Sequence, residues 1–118
     1  MKILVTGGLG FIGINFVKYI LKKNLNIINL DKITYASNKE KKYLRPSKNY
    51  KFYKVDITNQ KKVESIIKKN LPDIIVHFAA ETHVDRSISN ANEFIKTNIL
   101  GVYSLLESCK NLLKKKKN

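Results

Sequence analysis

The chain has 118 residues, a formal charge of +14 and a single cysteine. This length suits one domain that buries roughly two thirds of its unfolded surface. Because Cys109 has no second cysteine to pair with, an intrachain disulfide is excluded and a reducing compartment is expected. No apolar run approaches the ~18 residues of a membrane span and no signal-peptide pattern is visible, so we expect a cytoplasmic protein without a membrane partner.

The positive charge comes almost entirely from lysine, with 21 Lys against 2 Arg. Proteins that read nucleic acid use Arg for bidentate contacts and exposed aromatic side chains for stacking, and neither is concentrated here. We therefore expect a solvated lysine-rich surface and no nucleic-acid partner, and we keep a basic nucleic-acid binder as an alternative. Residues 114–118 carry a block of four lysines, which predicts a frayed tail after a domain at 1–113.

A glycine-rich turn follows the first apolar run, which is typical of a buried strand over 1–6. From Phe11 onward, apolar residues recur at the spacing of a helix. In a strand–turn–helix unit, Gly7 allows the tight turn, Gly10 lets the backbone approach a pyrophosphate, and Gly13 lets the helix pack closely on the strand. The free N–H groups of the first helical turn then face the anion. The pattern predicts a dinucleotide site, the alternative being a loop with chance glycines.

Asp31 ends a second apolar run, at 27–30, and lies about 20 residues past the glycine turn. A carboxylate at this position accepts hydrogen bonds from both hydroxyls of the adenosine ribose and repels a 2′-phosphate, which favours NAD over NADP. Lys32 is the opposing signal, because a cation beside the ribose can hold a 2′-phosphate. We give the acid more weight.

The next elements alternate in type. A short helix is predicted near 39–44, and a third strand at 50–55. Thr58 or Asn59 caps a second helix that ends at Pro72, and a continuous apolar run at 73–78 predicts a buried parallel strand. The apolar positions of that second helix are Val63, Ile66, Ile67 and Leu71.

A long helix is predicted from Asn90 to about Leu113, with apolar residues on two sides. A helix of this kind is either deeply buried or shared with a partner. One side carries Phe94, Asn98, Gly101, Val102, Leu105, Cys109 and Leu112. The second stripe comprises Ile95, Ile99, Tyr103 and Leu106.

This alternation predicts an α/β fold, a Rossmann-like doubly wound parallel sheet that is incomplete, with about four strands in the order 3-2-1-4. The ligand crevice of such a sheet lies beyond the carboxyl ends of its strands. The glycine turn, Asp31, Asp56 and the segment after Phe78 all fall there.

Two further segments carry a family resemblance. Residues 30–38 read Leu-Asp-Lys-Ile-Thr-Tyr-Ala-Ser-Asn, and residues 77–88 read His-Phe-Ala-Ala-Glu-Thr-His-Val-Asp-Arg-Ser-Ile. Together with the glycine turn and the later Phe-Ile-x-Thr-Asn-Ile-x-Gly, they closely resemble the N-terminal third of dTDP-glucose 4,6-dehydratases. These are extended members of the short-chain dehydrogenase/reductase superfamily, within the NAD-dependent epimerase/dehydratase family.

The resemblance implies NAD as the cofactor and assigns contacts along it. Phe11 and Ile12 would cover the pyrophosphate, the residues from Asp31 would line the adenosine ribose, and those from Asp56 would hold the adenine. The segment after the fourth strand would run toward the nicotinamide ribose, with Thr82 also touching the sugar substrate. The full cofactor set is Gly7, Gly10, Phe11, Ile12, Gly13, Asp31, Lys32, Ile33, Thr34, Asp56, Ile57, Phe78, Ala79, Ala80, Glu81, Thr82 and Thr97.

The resemblance also implies chemistry that needs a tyrosine base with a lysine four residues later and an Asp-Glu pair. Three Tyr-x-x-x-Lys pairs occur here, but none has the context to reach a sugar C4 hydroxyl, so no catalytic residue is assigned. They are Tyr19/Lys23, Tyr35/Lys39 and Tyr50/Lys54.

We therefore expect the NAD-binding portion of a dTDP-glucose 4,6-dehydratase, without its substrate domain, from a truncated or split gene or an incomplete record. In the complete enzyme, dTDP-glucose would be the substrate and a homodimer the assembly. The alternative is a stand-alone NAD-binding module with a regulatory or scaffolding role.

Several polar residues have a structural explanation. His77 is expected to be a core histidine with a local hydrogen bond, and Asn98 to fix a neighbouring loop. His83, Asp85 and Arg86 would brace a loop or touch substrate. Neither histidine has the spacing of a metal site.

Overall fold

A computed structural model describes residues 1–33, 37, 44–81 and 88–116. Its four strands form one sheet in the order β3-β2-β1-β4, and every neighbouring pair is parallel. This confirms the predicted fold class and strand order. The strands are β1 (Lys2–Thr6), β2 (Asn26–Asp31), β3 (Tyr50–Lys54) and β4 (Ile74–His77).

Helices connect these strands and follow the last one. A π-helical turn lies inside the long C-terminal helix and joins its two α-helical parts without a break. The helical elements are α1 (Phe11–Lys22), α2 (Gln60–Asn70), α3 (Ala91–Ile95), the π turn (Lys96–Leu100) and α4 (Gly101–Lys116). No helix in the described part of the chain is both long and apolar enough to span a membrane.

Helices pack on both faces of the sheet, and successive strand side chains point to opposite sides, so the protein has a core on each face. Ile3 and Val5 of β1 face α1, while Leu4 between them faces α2 and α4. On the α1 side, the buried core comprises Ile3, Val5, Val17, Ile27 and Tyr50. On the other side it comprises Leu4, Ile28, Leu30, Val55, Val63, Ile66, Ile67 and Leu105.

The start of α2 shows which of the two predicted residues caps it, and its end corrects one predicted core residue. Asn59 is the N-cap, since its side chain accepts a hydrogen bond from the Lys62 N–H at 3.2 Å. Leu71 was predicted on the buried face, but it is 48% exposed. It lies after the helix in a left-handed conformation with φ of 49°, where the chain turns toward β4 and carries the side chain away from the core.

The last helix differs from prediction at its end and inside. It extends to Lys116, beyond the predicted end near Leu113, while fraying of the lysine-rich tail stays a prediction. The π turn has no counterpart in the prediction. The second apolar stripe, Ile95, Ile99, Tyr103 and Leu106, is 51–63% exposed. The predicted short helix at 39–44 lies, apart from Leu44, outside the described residues.

Candidate functional site

The turn after β1 requires glycine at position 7. Gly7 has φ of 69°, a left-handed conformation that side chains disfavour. Its N–H donates to the Leu30 carbonyl at 2.8 Å. A Cβ added at Gly7 would lie 2.6 Å from the Ala79 backbone nitrogen. Gly7 therefore provides the tight turn, as predicted, and also lets the chain after β4 approach the turn closely.

Gly10 and Gly13 have different surroundings. A Cβ on Gly13 would collide with the Gly7 carbonyl oxygen and lie 2.9 Å from the Gly8 Cα, so α1 packs against the turn itself. The prediction placed this contact on the strand, and the structure moves it to the residues just after the strand. Among the described residues, a Cβ on Gly10 would meet only the Gly7 oxygen, at 3.3 Å, which leaves its cleft side open to a ligand.

The N-terminus of α1 is open. Gly10 is its N-cap, and no described side chain caps it. The first N–H groups of a helix have no intrahelical acceptor, which makes such an end favourable for an anion. Phe11 and Ile12, the first two helical residues, are 77% and 67% exposed. Neither is among the described residues that line the cleft, and their contact with the pyrophosphate stays a prediction.

Asp31 braces the glycine turn from the end of β2. Its carboxylate accepts the Leu9 N–H at 3.0 Å and the Ile33 N–H at 2.7 Å. A carboxylate has about four acceptor positions; contacts with described residues fill two of them, and the others suit donors such as ribose hydroxyls. Ile33 has φ of 58°, which is strained for a β-branched residue. The sequence motif identified Asp31 but not this second, structural role.

Asn29 is a supporting residue that the sequence reasoning missed. It is fully buried in β2, its Oδ1 accepts the Gly8 N–H at 3.1 Å, and its Nδ2 donates to the Tyr50 hydroxyl at 3.0 Å. Burial raises the pKa of Tyr50, which keeps this hydroxyl neutral. The available signal was a polar residue at a core position of an apolar strand. The same bond directs Tyr50 into the core and away from a catalytic role.

A cleft lies at the carboxyl ends of the strands, with about 500 Å³ of free space that includes open solvent. Eleven of the predicted cofactor residues line it, and Leu30, Ser37 and Val55 line it without having been predicted. Those eleven are Gly7, Gly10, Asp31, Lys32, Asp56, Ile57, Phe78, Ala79, Ala80, Glu81 and Thr97. Thr34 and Thr82 lie outside the described residues, as do His83, Asp85 and Arg86.

Lys32 lies across the cleft between two acids. Its ammonium is 3.9 Å from Asp56 Oδ2 and 3.9 Å from Glu81 Oε1. Asp56 also accepts hydrogen bonds from the Thr58 N–H at 2.9 Å and the Thr58 hydroxyl at 2.8 Å, which fixes the turn after β3. Ile57 is buried, and a Cβ added to Gly101 would collide with it. Close packing of α4 therefore holds Ile57 at the floor of the cleft.

The π turn forms part of the cleft lining. Thr97 is buried and lines the cleft. Asn98 binds the Glu81 backbone at both ends, accepting its N–H at 2.8 Å and donating to its carbonyl at 3.1 Å. This matches the predicted role of Asn98 in fixing a loop. π-helical turns often occur at functional sites.

His77 has the local role predicted for it. Its Nδ1 lies 2.6 Å from the Thr6 hydroxyl, which also accepts the Ala79 N–H at 3.3 Å. Burial lowers the pKa of His77, so the ring is neutral at pH 7. Within the described ranges, no group of three His, Cys, Asp or Glu side chains is placed to hold a metal ion.

A parallel sheet of order 3-2-1-4, a glycine turn before an open helix N-terminus and an acid after β2 define a Rossmann-like dinucleotide-binding domain. The sequence matches the family described as GDP-mannose 4,6 dehydratase over residues 4–118. The chain belongs to this family, which confirms the epimerase/dehydratase resemblance.

Individual relatives show which members of the family this chain is similar to. The chain is 50% identical over 115 residues to a dTDP-glucose 4,6-dehydratase of Haemophilus influenzae, a match that covers 94% of this chain and 33% of the relative. It is 45% identical over 113 residues to dTDP-glucose 4,6-dehydratase 1 of Escherichia coli, covering 94% and 31%. The chain thus spans about a third of the length of the curated relatives it matches.

Solved structures agree with this relationship. The dTDP-glucose 4,6-dehydratase DesIV of Streptomyces venezuelae, solved with NAD, superposes with a TM-score of 0.83 at 38% identity, covering 92% of this chain and 35% of that one. The UDP-glucose 4-epimerase of Thermus thermophilus, also solved with NAD, gives 0.82 at 32% identity, covering 94% and 34%.

Proposed function

We propose that this chain binds NAD as the cofactor-binding part of a dTDP-glucose 4,6-dehydratase. One observation carries the proposal: Asp31 joins the ribose position to the phosphate turn through its hydrogen bond to the Leu9 N–H. The dinucleotide's pyrophosphate would lie at the N-terminus of α1, beside Gly10. Its adenosine ribose would lie at the remaining acceptor positions of Asp31.

The rest of the cleft suits the two ends of such a cofactor. Asp56 offers a carboxylate that can accept from the adenine amino group, and Ile57 lies beside it as apolar support. At the other end, the small side chains of Ala79 and Ala80 let a ligand approach the backbone that Asn98 holds in place. The NAD in the similar dehydratase and epimerase structures supports this assignment.

The reaction proposed for the complete enzyme oxidises dTDP-glucose at C4, eliminates water across C5 and C6, and returns the hydride to C6. Bound NAD supplies the hydride acceptor for that chemistry. The part this chain contributes is to bind and orient the cofactor, with Thr82 proposed as a contact to both cofactor and sugar. No residue of this chain is assigned as an acid or base, and a cytoplasmic homodimer is proposed for the complete enzyme.

Cofactor binding by the 118-residue chain is the direct test. Titration calorimetry with NAD and NADP on the wild type should show NAD bound more tightly. In Asp31→Asn, which retains an acceptor for the turn but removes the charge, we expect NAD affinity to fall by about tenfold, since hydrogen bonds to charged groups contribute ~1.5–3 kcal/mol. Glu107→Gln, which removes a carboxylate of α4 that pairs with Lys110 and does not line the cleft, is the matched control. Equal affinity of the wild type for the two cofactors would contradict the assigned role of Asp31.

An activity assay tests the other half of the proposal. Incubation of the purified chain with dTDP-glucose and NAD should give no 4-keto-6-deoxy product. Turnover above roughly a thousandth of a typical ~10 s⁻¹ enzyme would overturn the view that this chain only holds the cofactor.

A further inference from the structure

We propose that Glu81 controls the preference of the cleft for NAD over NADP indirectly, by holding the ammonium of Lys32. This inference rests on the proposed NAD site and deepens it. Lys32 directly follows Asp31, the residue proposed to bind the ribose. It is therefore the basic residue closest to that position along the sequence. A cation at that position is what a 2′-phosphate requires.

The contacts of Lys32 direct its charge elsewhere. Its ammonium lies 3.9 Å from a carboxylate oxygen of Asp56 on one side and 3.9 Å from one of Glu81 on the other. The Glu81 side chain is only 10% exposed, compared with 42% for Asp56. Solvent screens a buried charge less than an exposed one, so Glu81 is the stronger of the two partners.

Glu81 is also held in position. Its backbone N–H and carbonyl both bond to the Asn98 side chain, at 2.8 and 3.1 Å. The carboxylate therefore projects into the cleft from a fixed backbone. Lys32 lies after β2, outside any helix or strand, and its flexible four-carbon side chain lets the ammonium change partner.

The charge balance in the cleft leads to a specific expectation. Among the described residues that line the cleft, three carry a carboxylate, Asp31, Asp56 and Glu81, and one carries an ammonium, Lys32. When Glu81 is neutral, Lys32 loses its less exposed partner and its ammonium can turn to a 2′-phosphate. Selectivity against NADP then weakens, because specificity is a difference between two affinities.

A double-mutant cycle tests this mechanism. The four proteins are the wild type, Glu81→Gln, Lys32→Met and the double variant, and the readout is the ratio of the NADP and NAD dissociation constants from calorimetry. We expect Glu81→Gln to lower this ratio by about tenfold, while the same change in the Lys32→Met background alters it by less than about twofold. Thermal melts of all four proteins verify that each is folded.

Two outcomes of the cycle would contradict the inference. A ratio that falls equally in both backgrounds would show that the Glu81 charge acts on the phosphate directly, without Lys32. A change of less than about threefold in Glu81→Gln would also overturn the inference. In both cases NAD binding by the wild type leaves the proposed function intact, whereas a wild type that binds no NAD overturns the two together.

Discussion

The two walls of the cleft are built in different ways. The glycine-turn wall is buried and hydrogen-bonded within the first 31 residues, through Asn29 to Gly8 and Asp31 to Leu9. The second wall, formed by β4 and the π turn, is half-buried, and among its described contacts the Asn98 side chain binds the backbone of Glu81. The phosphate end of the site therefore has buried hydrogen bonds within its own βαβ unit, in addition to the close contact of Gly7 with Ala79. The other end depends on the long helix.

The exposure of apolar residues follows the same division. β1 and β2 hold their apolar residues in the core, while Ile74 of β4 is 42% exposed and Ile99 of the π turn is 61% exposed. Changes in the first wall should therefore cost folding free energy, while changes on the outer surface of the second should alter association.

The largest effect is expected for Gly13→Ala. The added methyl group would collide with the Gly7 carbonyl oxygen, which is backbone and cannot move aside without opening the turn. Overpacking of this kind costs ~1–3 kcal/mol or more, so we expect the upper end of that range in urea unfolding, together with loss of NAD binding.

Gly10→Ala is the matched control for that change. Its added methyl group would lie 3.3 Å from the Gly7 oxygen and otherwise face the cleft. We expect less than about 1 kcal/mol of destabilisation but weaker NAD binding, because the methyl occupies the path of the pyrophosphate. Equal destabilisation by the two variants would contradict the difference drawn between these glycines.

A smaller but still substantial effect is expected for Asn29→Ala. The change leaves the buried Gly8 N–H and Tyr50 hydroxyl without their partner. An unsatisfied buried group costs ~1–3 kcal/mol, and chemical denaturation should show a loss in that range. Tyr50→Phe removes only one of the two bonds and should cost less. If Tyr50→Phe costs as much as Asn29→Ala, the bond to Gly8 contributes nothing.

These residues show which features of the structure could be predicted from the sequence and which could not. Strand order and the cleft were predictable because apolar runs alternate with helical spacing and the glycine and acid positions follow a known geometry. Asn29 was missed because its partners, Gly8 and Tyr50, are brought together only by the β1–β2–β3 pairing. Leu71 was misassigned because helical spacing does not reveal that the chain turns left-handed at that residue.

The ion contacts of Lys32 could not be predicted from the sequence. Its partners Asp56 and Glu81 are 24 and 49 positions away along the chain, and only the parallel sheet brings the ends of β2, β3 and β4 together. The spacing of the apolar residues could not predict the π turn either, because one wider turn inside a long helix barely shifts that spacing.

A further effect, confined to a window of pH, is expected at His77. Burial lowers the pKa of the folded ring below the ordinary value of ~6.5. The unfolded chain then takes up a proton first as pH falls, so this stabilisation is present above about pH 6.5 and is lost toward the folded-state pKa. Urea midpoints of the wild type should fall between about pH 7.5 and pH 5.5 by more than those of His77→Gln. Parallel pH profiles would contradict the role given to burial.

The smallest effect on stability, and the clearest difference between the two walls, is expected on the exposed stripe of the long helix. Ile99 and Leu106 are 61% and 63% exposed, and β4 pairs with β1 alone among the described strands. Exposed apolar surface beside a free strand edge favours association, so we expect the 118-residue chain to self-associate at low micromolar concentration despite its charge of +14.

The variant Ile99→Gln/Leu106→Gln should change the unfolding free energy by less than about 0.5 kcal/mol per site, because neither side chain is in the core. In size-exclusion chromatography with light scattering, it should run as a monomer where the wild type does not. Lys69→Gln, at an exposed position on a different helix, α2, is the control and should associate like the wild type. A wild type that is already a monomer with a sharp melting transition would show that the second wall is as self-sufficient as the first, and would favour a stand-alone NAD-binding module.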